Sequence, residues 1–265
     1  MVEPKTLISG RGLVESPRWH EGALWFADWT TGEILRLDAS GVVTMVARAS
    51  APPLSFDFLA DDTILIVSSR EGRLLRRETE GVTRPFVTLG DGLWNEIVVD
   101  GRGNTYVNGP KLLLIRPNGE VESQADGFAF PNGMAITADN KTLILAESHA
   151  QQLTAFDISS DGRLSGRRVW ADLNGAPDGI CLDVTGAVWY ADVPNRRCRR
   201  VYEGGEVLDE ILLDRGAFAC MLGGTERCTL YITAASWFGM DRMSEMVGTG
   251  RVLSLAANFP GTGWP

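Results

Sequence analysis

Short apolar triplets recur along the chain at nearly even spacing, each close to a turn rich in Gly, Asp or Asn. Their central residues are separated by intervals of 38 to 45 residues. The six triplets are residues 24–26, 64–66, 105–107, 143–145, 188–190 and 230–232. A repeat of about 40 residues built from short strands is typical of the blades of a β-propeller.

Several triplets are followed, after a tight turn, by a second apolar segment. These segments are residues 33–37, 73–77, 153–157 and 251–255. Such pairs predict β-hairpins, and only residues 241–246 suit even a single helical turn. The sequence therefore predicts an all-β fold with a single domain over residues 1–265. We expect a six-bladed β-propeller with four-stranded antiparallel blades around a central channel.

A propeller ring needs closure, because an open seam would expose unpaired strand edges. The last blade lacks a fourth strand at the C-terminal end of the sequence. We expect the N-terminal strand, residues 5–9, to complete it. A β-sandwich or two small β domains are the alternatives, but neither explains a sixfold period.

Four polar residues begin predicted inner strands that are otherwise apolar. Glu15, Asn95, Asn132 and Asp178 precede the central triplet residue of their blades by 10 to 12 residues, which places them at one level of the channel. Two carboxylates and two amide oxygens suit Ca²⁺, Mg²⁺ or Mn²⁺. Taken singly, Asn132-Gly and Asp178-Gly are also common turn dipeptides, and Glu15 could be a strand-edge charge. The matched offsets favour a metal site.

Charge and composition exclude several classes of partner. The 265 residues carry a net charge of −9, and four arginines near residue 198 form the one basic cluster, which we interpret as a solvated edge. We therefore expect no nucleic-acid or membrane partner. The first 20 residues lack an apolar signal segment, so the expected location is the cytoplasm. We expect a monomer or a weak homodimer. The four cysteines form no Cys-x-x-Cys pair and are expected to be buried free thiols.

The stretches around these polar residues resemble the family that contains senescence marker protein (regucalcin), gluconolactonase and related bacterial lactonases. The resemblance covers nearly the whole chain. Its segments are residues 15–19, 131–133, 153–157, 177–183, 187–189 and 221–225. It implies a six-bladed propeller with a divalent ion at the channel mouth. The implied ligands are Glu15, Asn132 and Asp178, with Asn95 beside the ion. The implied cofactor is Ca²⁺ first, with Zn²⁺, Mn²⁺, Mg²⁺ and Fe²⁺ as alternatives.

The chain also departs from the sugar lactonases of that family. Sugar lactonases carry an Arg two positions before the third-blade Asn, where this chain has Leu93. In them the residue directly after that Asn is usually Asp, where this chain has Glu96. We expect four residues to contact a small-molecule substrate that is less polar than a sugar lactone. They are Asn95, Trp94, Leu93 and Phe130.

The resemblance and the site together predict metal-dependent hydrolysis of a small lactone or related ester. The predicted catalytic base is Asp178, and His149 is its rival, with a purely structural role as the alternative for this histidine. No Gly-x-Ser-x-Gly, Gly-x-Gly-x-x-Gly or His-Glu-x-x-His motif occurs. Organophosphate-hydrolase-like, lyase or isomerase activity on the same site, and a non-catalytic calcium-binding propeller, remain the alternative functions.

Overall fold

The structure is a six-bladed β-propeller of antiparallel sheets. The computed structural model describes residues 3–49, 52–78 and 81–265. After β1 (Lys5–Arg11), the first blade contains β2 (Val14–His20), β3 (Ala23–Asp28), β4 (Glu33–Leu37) and β5 (Val43–Arg48). The second contains β6 (Leu54–Phe58), β7 (Ile64–Ser68), β8 (Arg73–Arg77) and β9 (Thr83–Thr88). The third contains β10 (Ile97–Val99), β11 (Thr105–Val107), β12 (Lys111–Ile115) and β13 (Val121–Asp126).

The second half of the chain repeats this plan. The fourth blade contains β14 (Pro131–Ile136), β15 (Thr142–Glu147), β16 (Gln152–Ile158) and β17 (Leu164–Asp172). The fifth contains β18 (Pro177–Asp183), β19 (Val188–Asp192), β20 (Arg197–Val201) and β21 (Val207–Leu212). The sixth contains β22 (Gly216–Gly223), β23 (Thr229–Ala235) and β24 (Gly250–Ala256), and β25 (Gly261–Thr262) follows.

The first strands of the blades form a closed ring around the channel. β2, β6, β10, β14, β18 and β22 each contact the first strands of both neighbouring blades. The predicted triplets all lie in the second strands, which are almost wholly buried because neighbouring blades cover both of their faces. A strand covered on both faces is apolar without alternation, and this explains the triplet signal.

Closure of the ring confirms the predicted role of the N-terminal segment. β1 pairs antiparallel with β24, joining Lys5 to Ser254 and Arg11 to Gly250, so the strand is two residues longer than predicted. A second closing contact was not predicted. β25 pairs with Leu182 and Asp183 of β18, and the backbone of Trp264 exchanges two hydrogen bonds with Ile136, at 2.7 and 2.8 Å. The last residues thus join the fifth blade to the fourth.

Helical structure in the described part of the chain is limited to two 3₁₀ helices, Ser69–Glu71 and Met240–Met246. The second confirms the predicted helical turn and lies in the connection between β23 and β24. Neither of these helices has the length and hydrophobicity of a membrane-spanning segment.

Candidate metal centre and cavity

A repeated β-bulge directs the predicted ligands toward one end of the channel. The pairing of first and second strands shifts register over residues 15–18, 131–134 and 177–180. A bulge bends its strand and changes the direction of the side chains within it. One predicted ligand lies within each shift, and all three line the same cavity: Glu15, Asn132 and Asp178.

Glycines bring the inner strands together behind these ligands. A Cβ at Gly133 would lie 2.5 Å from the backbone oxygen of Asp178, and a Cβ at Gly179 would lie 2.2 Å from the Cβ of Ala219. Both glycines lie within strands and neither has a positive φ. The turn interpretation of Asn132-Gly and Asp178-Gly is therefore wrong, because these glycines serve close packing between blades.

Two carboxyl groups are buried at this end of the channel. Glu15 is 6% exposed and Asp178 is 9% exposed, which excludes a strand-edge role for Glu15. Burial raises the pKa of Glu15, and the negative charges of Asp178 and Glu96 raise it further. Burial also raises the pKa of Asp178, together with the charges of Glu96 and Asp192. A cation between these carboxylates would offset both effects.

Hydrogen bonds fix the amide side chains beside the two carboxyl groups. Asn95 Nδ2 donates to Asn132 Oδ1 at 3.1 Å and to the Pro131 oxygen at 3.2 Å. Asn132 Nδ2 donates to Ser148 Oγ at 3.3 Å, and Ser148 Oγ donates to the Pro177 oxygen at 2.6 Å. Since Asn132 Oδ1 has two lone pairs, it can accept the bond from Asn95 and still ligate a cation.

Asn108 is a supporting residue that the sequence analysis did not identify. Its side chain is fully buried, and its Nδ2 donates to the backbone oxygen of Asn132 at 2.5 Å. The Oδ1 of Asn108 accepts a hydrogen bond from the backbone N–H of Glu96 at 3.2 Å. The backbone oxygen of Asn108 accepts one from the backbone N–H of Asn95 at 2.8 Å. Asn108 therefore holds the predicted site residues of the third and fourth blades in register.

A buried ionic cluster also escaped the sequence analysis. Arg18 Nη2 donates to Glu96 Oε1 and to the Ile97 oxygen, both at 2.9 Å, and Arg18 Nε lies 3.5 Å from Asp57 Oδ1. Arg18, Asp57 and Glu96 come from three blades, and each is less than 9% exposed. Each of these three charged residues lies in or beside an otherwise apolar first strand, and this was the signal in the sequence. It did not indicate which of the residues form ion pairs.

The residues present fit a hard divalent cation. The donors are two carboxylates and at least one amide oxygen, which is the chemistry that Ca²⁺, Mg²⁺ and Mn²⁺ prefer. No Lys or Arg is among the described residues that line the cavity. Glu15 and Asp178 therefore lack a cationic side chain of their own within it, whereas Glu96 is paired with Arg18.

The cavity has a volume of about 580 Å³ and opens at the end of the channel where the predicted ligands lie. Its polar lining consists of the three predicted ligands together with Asn95, Ser148 and His149. Apolar side chains form most of the remaining wall. This combination of a few convergent polar groups in an apolar cavity is typical of small-molecule sites.

The predicted substrate contacts lie in two different environments. Leu93 and Phe130 line the cavity and are 59% and 47% exposed. Trp94 is 1% exposed, donates its Nε1 hydrogen to the Gly90 oxygen at 2.8 Å, and does not line the cavity. The position of Trp94 does not support substrate contact, because its ring packs in the core and the backbone of Gly109 closes over it.

His149 lies at the mouth of the same cavity, where its side chain is exposed. Its ring stacks on Phe130 with 4.6 Å between centroids and 22° between planes. The backbone of Phe130 has a φ of +61° and accepts a hydrogen bond from the Ser148 amide. The structure thus brings His149 to the cavity, but on its outer rim rather than among the buried carboxyl groups.

A second group of side chains that could ligate a metal ion lies on the surface. His20, Glu21 and Asp62 have ligand atoms close enough to share an ion, and no other such group of three His, Cys, Asp or Glu residues occurs in the described ranges. His20 Nε2 lies 3.0 Å from Asp62 Oδ1, and the ring stacks on Phe58 at 3.8 Å. His20 and Glu15 are at opposite ends of β2, so this group is separate from the cavity.

Three of the four arginines near residue 198 form ion pairs with carboxylates, so most of this cluster is not a free cationic surface. Arg200 is 5% exposed, so the expectation of a solvated edge is wrong for this residue. The ion pairs are Arg197–Asp192 at 2.9 Å, Arg199–Glu210 at 2.5 Å and Arg200–Asp183 at 2.6 Å.

Comparison with known proteins agrees with this architecture. The model of the SMP-30/gluconolactonase/LRE-like region matches residues 13–236. The chain belongs to this family. Regucalcin of Xenopus laevis is 27% identical over 253 residues, covering 86% of this chain and 84% of its own length. The 6-deoxy-6-sulfogluconolactonase of Pseudomonas putida is 27% identical over 275 residues, covering 96% and 94%.

A solved structure shows the same fold. The calcium-binding protein regucalcin of Agrobacterium tumefaciens superposes with a TM-score of 0.80 at 19% sequence identity. The superposition covers 98% of this chain and 95% of that one. The family resemblance and the propeller predicted from the sequence are both confirmed.

Proposed function

We propose that this SMP-30/gluconolactonase family member hydrolyses a small lactone in a reaction that depends on a divalent cation. The observation that carries the proposal is that two buried carboxyl groups, Glu15 and Asp178, line the same cavity as the Asn132 amide, with no Lys or Arg among the described lining residues. The sulfogluconolactonase of Pseudomonas putida, a relative over nearly the whole chain, supports lactone hydrolysis as the reaction class.

Glu15, Asn132 and Asp178 would hold the ion. Asn95 would keep Asn132 Oδ1 in place, and Asn108 would hold the backbone of Asn132. A cation there would polarise the lactone carbonyl and lower the pKa of an attacking water. Ca²⁺ is the first ion to test, since the Agrobacterium tumefaciens structure is described as a calcium-binding protein. The all-oxygen donor set is consistent with that choice.

Hydrolysis requires a base for the water and a proton for the ring oxygen that leaves. Water adds to the carbonyl carbon, the ring C–O bond breaks, and the product is a hydroxy acid. Asp178 is the first candidate base because it is buried beside the proposed ion. His149 is the second, and its place on the rim suits proton exchange with solvent.

Asn95 is proposed to orient the Asn132 side chain rather than to donate a hydrogen bond to the substrate. Both hydrogens of its Nδ2 are engaged, by the Pro131 oxygen and Asn132 Oδ1. This amide therefore has no free hydrogen with which to stabilise a developing oxyanion.

The test is lactone hydrolysis by chelator-stripped protein that is reloaded in turn with Ca²⁺, Mn²⁺, Zn²⁺ and Fe²⁺. Asp178→Ala is compared with Asp139→Ala, which removes an exposed turn carboxylate whose Oδ1 accepts the Lys141 amide at 3.1 Å. We expect metal-dependent turnover that is lost in Asp178→Ala and retained in Asp139→Ala. His149→Gln separates the two bases, because loss of the base lowers kcat and removes its limb from the pH–rate profile.

Two results would contradict the proposal. Metal binding without turnover of any lactone would favour an organophosphate-hydrolase-like, lyase or isomerase reaction. Absence of metal binding, measured by titration calorimetry on the stripped protein, would remove the basis for the site itself.

A further inference from the structure

The wall of the cavity is apolar around its polar floor. Leu93, Pro110, Phe130, Val193, Trp237 and Met240 all line it. Four of them expose large fractions of their side chains: Leu93 59%, Phe130 47%, Trp237 42% and Met240 43%. Water-exposed apolar side chains grouped around a cavity mark a place where an apolar ligand gains free energy on binding.

These exposed side chains come from three connections between strands. Leu93 lies between β9 and β10, Phe130 between β13 and β14, and Trp237 and Met240 between β23 and β24. Trp237 also contacts the buried Phe218 edge to face, with 5.5 Å between centroids. The connection from β23 to β24, which includes the 3₁₀ helix Met240–Met246, thus brings the sixth blade to the cavity opposite the third and fourth blades.

The polar side chains of the cavity have few free donors for a polyhydroxylated ligand. The Nδ2 hydrogens of Asn95 are engaged, and the Ser148 hydroxyl donates to the Pro177 oxygen. Asn132 uses one of its two Nδ2 hydrogens on Ser148. Sugar hydroxyls placed against this wall would lose water without gaining partners, which costs free energy for each unpaired group.

The charge of the cavity also discriminates between ligands. None of the described lining residues is Lys or Arg, while two are carboxylic acids. A sulfonate, phosphate or carboxylate on the ligand would therefore lack the charge-assisted hydrogen bonds that such groups use.

We propose that the substrate is an uncharged lactone that carries an apolar alkyl or aryl substituent. This inference rests on the lactone hydrolysis proposed above. The lactone ring lies at the end of the cavity where Glu15, Asn132 and Asp178 would hold the ion. The substituent lies between Leu93 and Phe130 on one side and Trp237 and Met240 on the other. These four side chains determine specificity by burying the substituent.

The experiment compares δ-valerolactone, δ-octalactone, δ-decalactone and glucono-δ-lactone as substrates of the metal-loaded protein. Each CH₂ that becomes fully buried contributes about 0.8 kcal/mol, so kcat/KM should increase about three- to fourfold for each added carbon that the wall covers. Glucono-δ-lactone should be hydrolysed least efficiently. Trp237→Ser should lower kcat/KM for δ-decalactone at least about tenfold more than for δ-valerolactone.

Val42→Ser is the matched control, because Val42 is 56% exposed and does not line the cavity. This variant should retain the preference of the wild type for long chains. Equal kcat/KM for all chain lengths, or faster hydrolysis of glucono-δ-lactone, would overturn the inference and leave metal-dependent lactone hydrolysis standing. If no lactone is hydrolysed with any ion, the proposed function fails and the inference fails with it.

Discussion

The guanidinium of Arg18 donates a hydrogen bond to the carboxylate of Glu96 at 2.9 Å, linking the first blade to the third through the core of the ring. Arg18 also lies 3.5 Å from Asp57 of the second blade. This one buried cation is thus shared by two buried carboxylates. The described residues that line the cavity around Glu15 and Asp178 include no Lys or Arg, which is the electrostatic reason to expect a divalent ion there.

Replacing Arg18 should destabilise the protein severely. Arg18→Met leaves the charges of Glu96 and Asp57 buried without their cation, and breaking a buried ion pair in this way costs about 3–5 kcal/mol. Urea unfolding at neutral pH measures the change in the free energy of unfolding. Arg163→Met is the control, since Arg163 is 61% exposed in its pair with Glu122, and exposed pairs contribute about 0–1 kcal/mol. Similar losses in both variants would show that the Arg18 cluster is energetically unimportant.

The metal-free protein should lose stability as pH rises above the usual carboxylic-acid range. The pKa values of Glu15 and Asp178 are raised in the folded state, so the folded chain binds more protons than the unfolded chain within that window. Under this condition the free energy of unfolding decreases with increasing pH. Urea unfolding of chelator-treated protein between about pH 5 and pH 8 measures the slope.

Two comparisons make this pH dependence specific to the site. Asp178→Asn should make the pH dependence less steep, because it removes one of the buried carboxyl groups whose pKa is raised. A saturating divalent cation should reverse the trend, since the ion binds the deprotonated carboxylates. Exposed carboxyl groups with lowered pKa values, such as Asp214 at about 2, affect stability only at much lower pH. A flat profile for the metal-free wild type would contradict the expectation.

Close packing of the inner strands should make Gly179 intolerant of a side chain. The Cβ of Gly179→Ala would lie 2.2 Å from Ala219 Cβ and 3.1 Å from the Phe218 oxygen, so the strands must separate. We expect a loss of about 1–3 kcal/mol in stability, typical of overpacking, together with weaker metal binding. Calorimetric melting and metal titration measure the two effects.

Gly22→Ala is the control for this substitution. Gly22 has a φ of +69° and open space around it, so alanine there costs only backbone strain of about 1–2 kcal/mol. Its metal affinity should be unchanged. If Gly179→Ala bound metal as the wild type does, the close approach of the fifth and sixth blades would not be needed for the site.

The cysteines should be protected from thiol reagents in the folded protein. All four are free thiols, and three of them, Cys181, Cys198 and Cys220, are buried. Burial raises the pKa of Cys181 and Cys220, which disfavours the reactive thiolate. Titration with an aromatic disulfide reagent should therefore modify at most Cys228 before unfolding and all four thiols in guanidinium. Rapid modification of several thiols in the native state would contradict the buried assignment.

The sequence determined the repeat, and with it the number of blades. A second strand covered by neighbours on both faces must be apolar throughout, so the six triplets were visible as local composition. The pattern of polar residues at the starts of apolar inner strands pointed to Glu15, Asn95, Asn132 and Asp178 as candidate site residues. Closure by the N-terminal strand followed from the missing fourth strand of the last blade.

Only the tertiary structure decided how distant residues meet. Leu93 and Trp94 are adjacent in sequence, yet Leu93 is exposed at the cavity while Trp94 is buried, since its Nε1 hydrogen bonds to Gly90 and Gly109 packs over it. Arg18 and Glu96 are far apart along the chain. Their pairing depends on bringing three blades together, and a spacing pattern reports local periodicity but not contact across a closed ring. For the same reason, only the folded ring brings Trp237 and Met240 to the cavity wall.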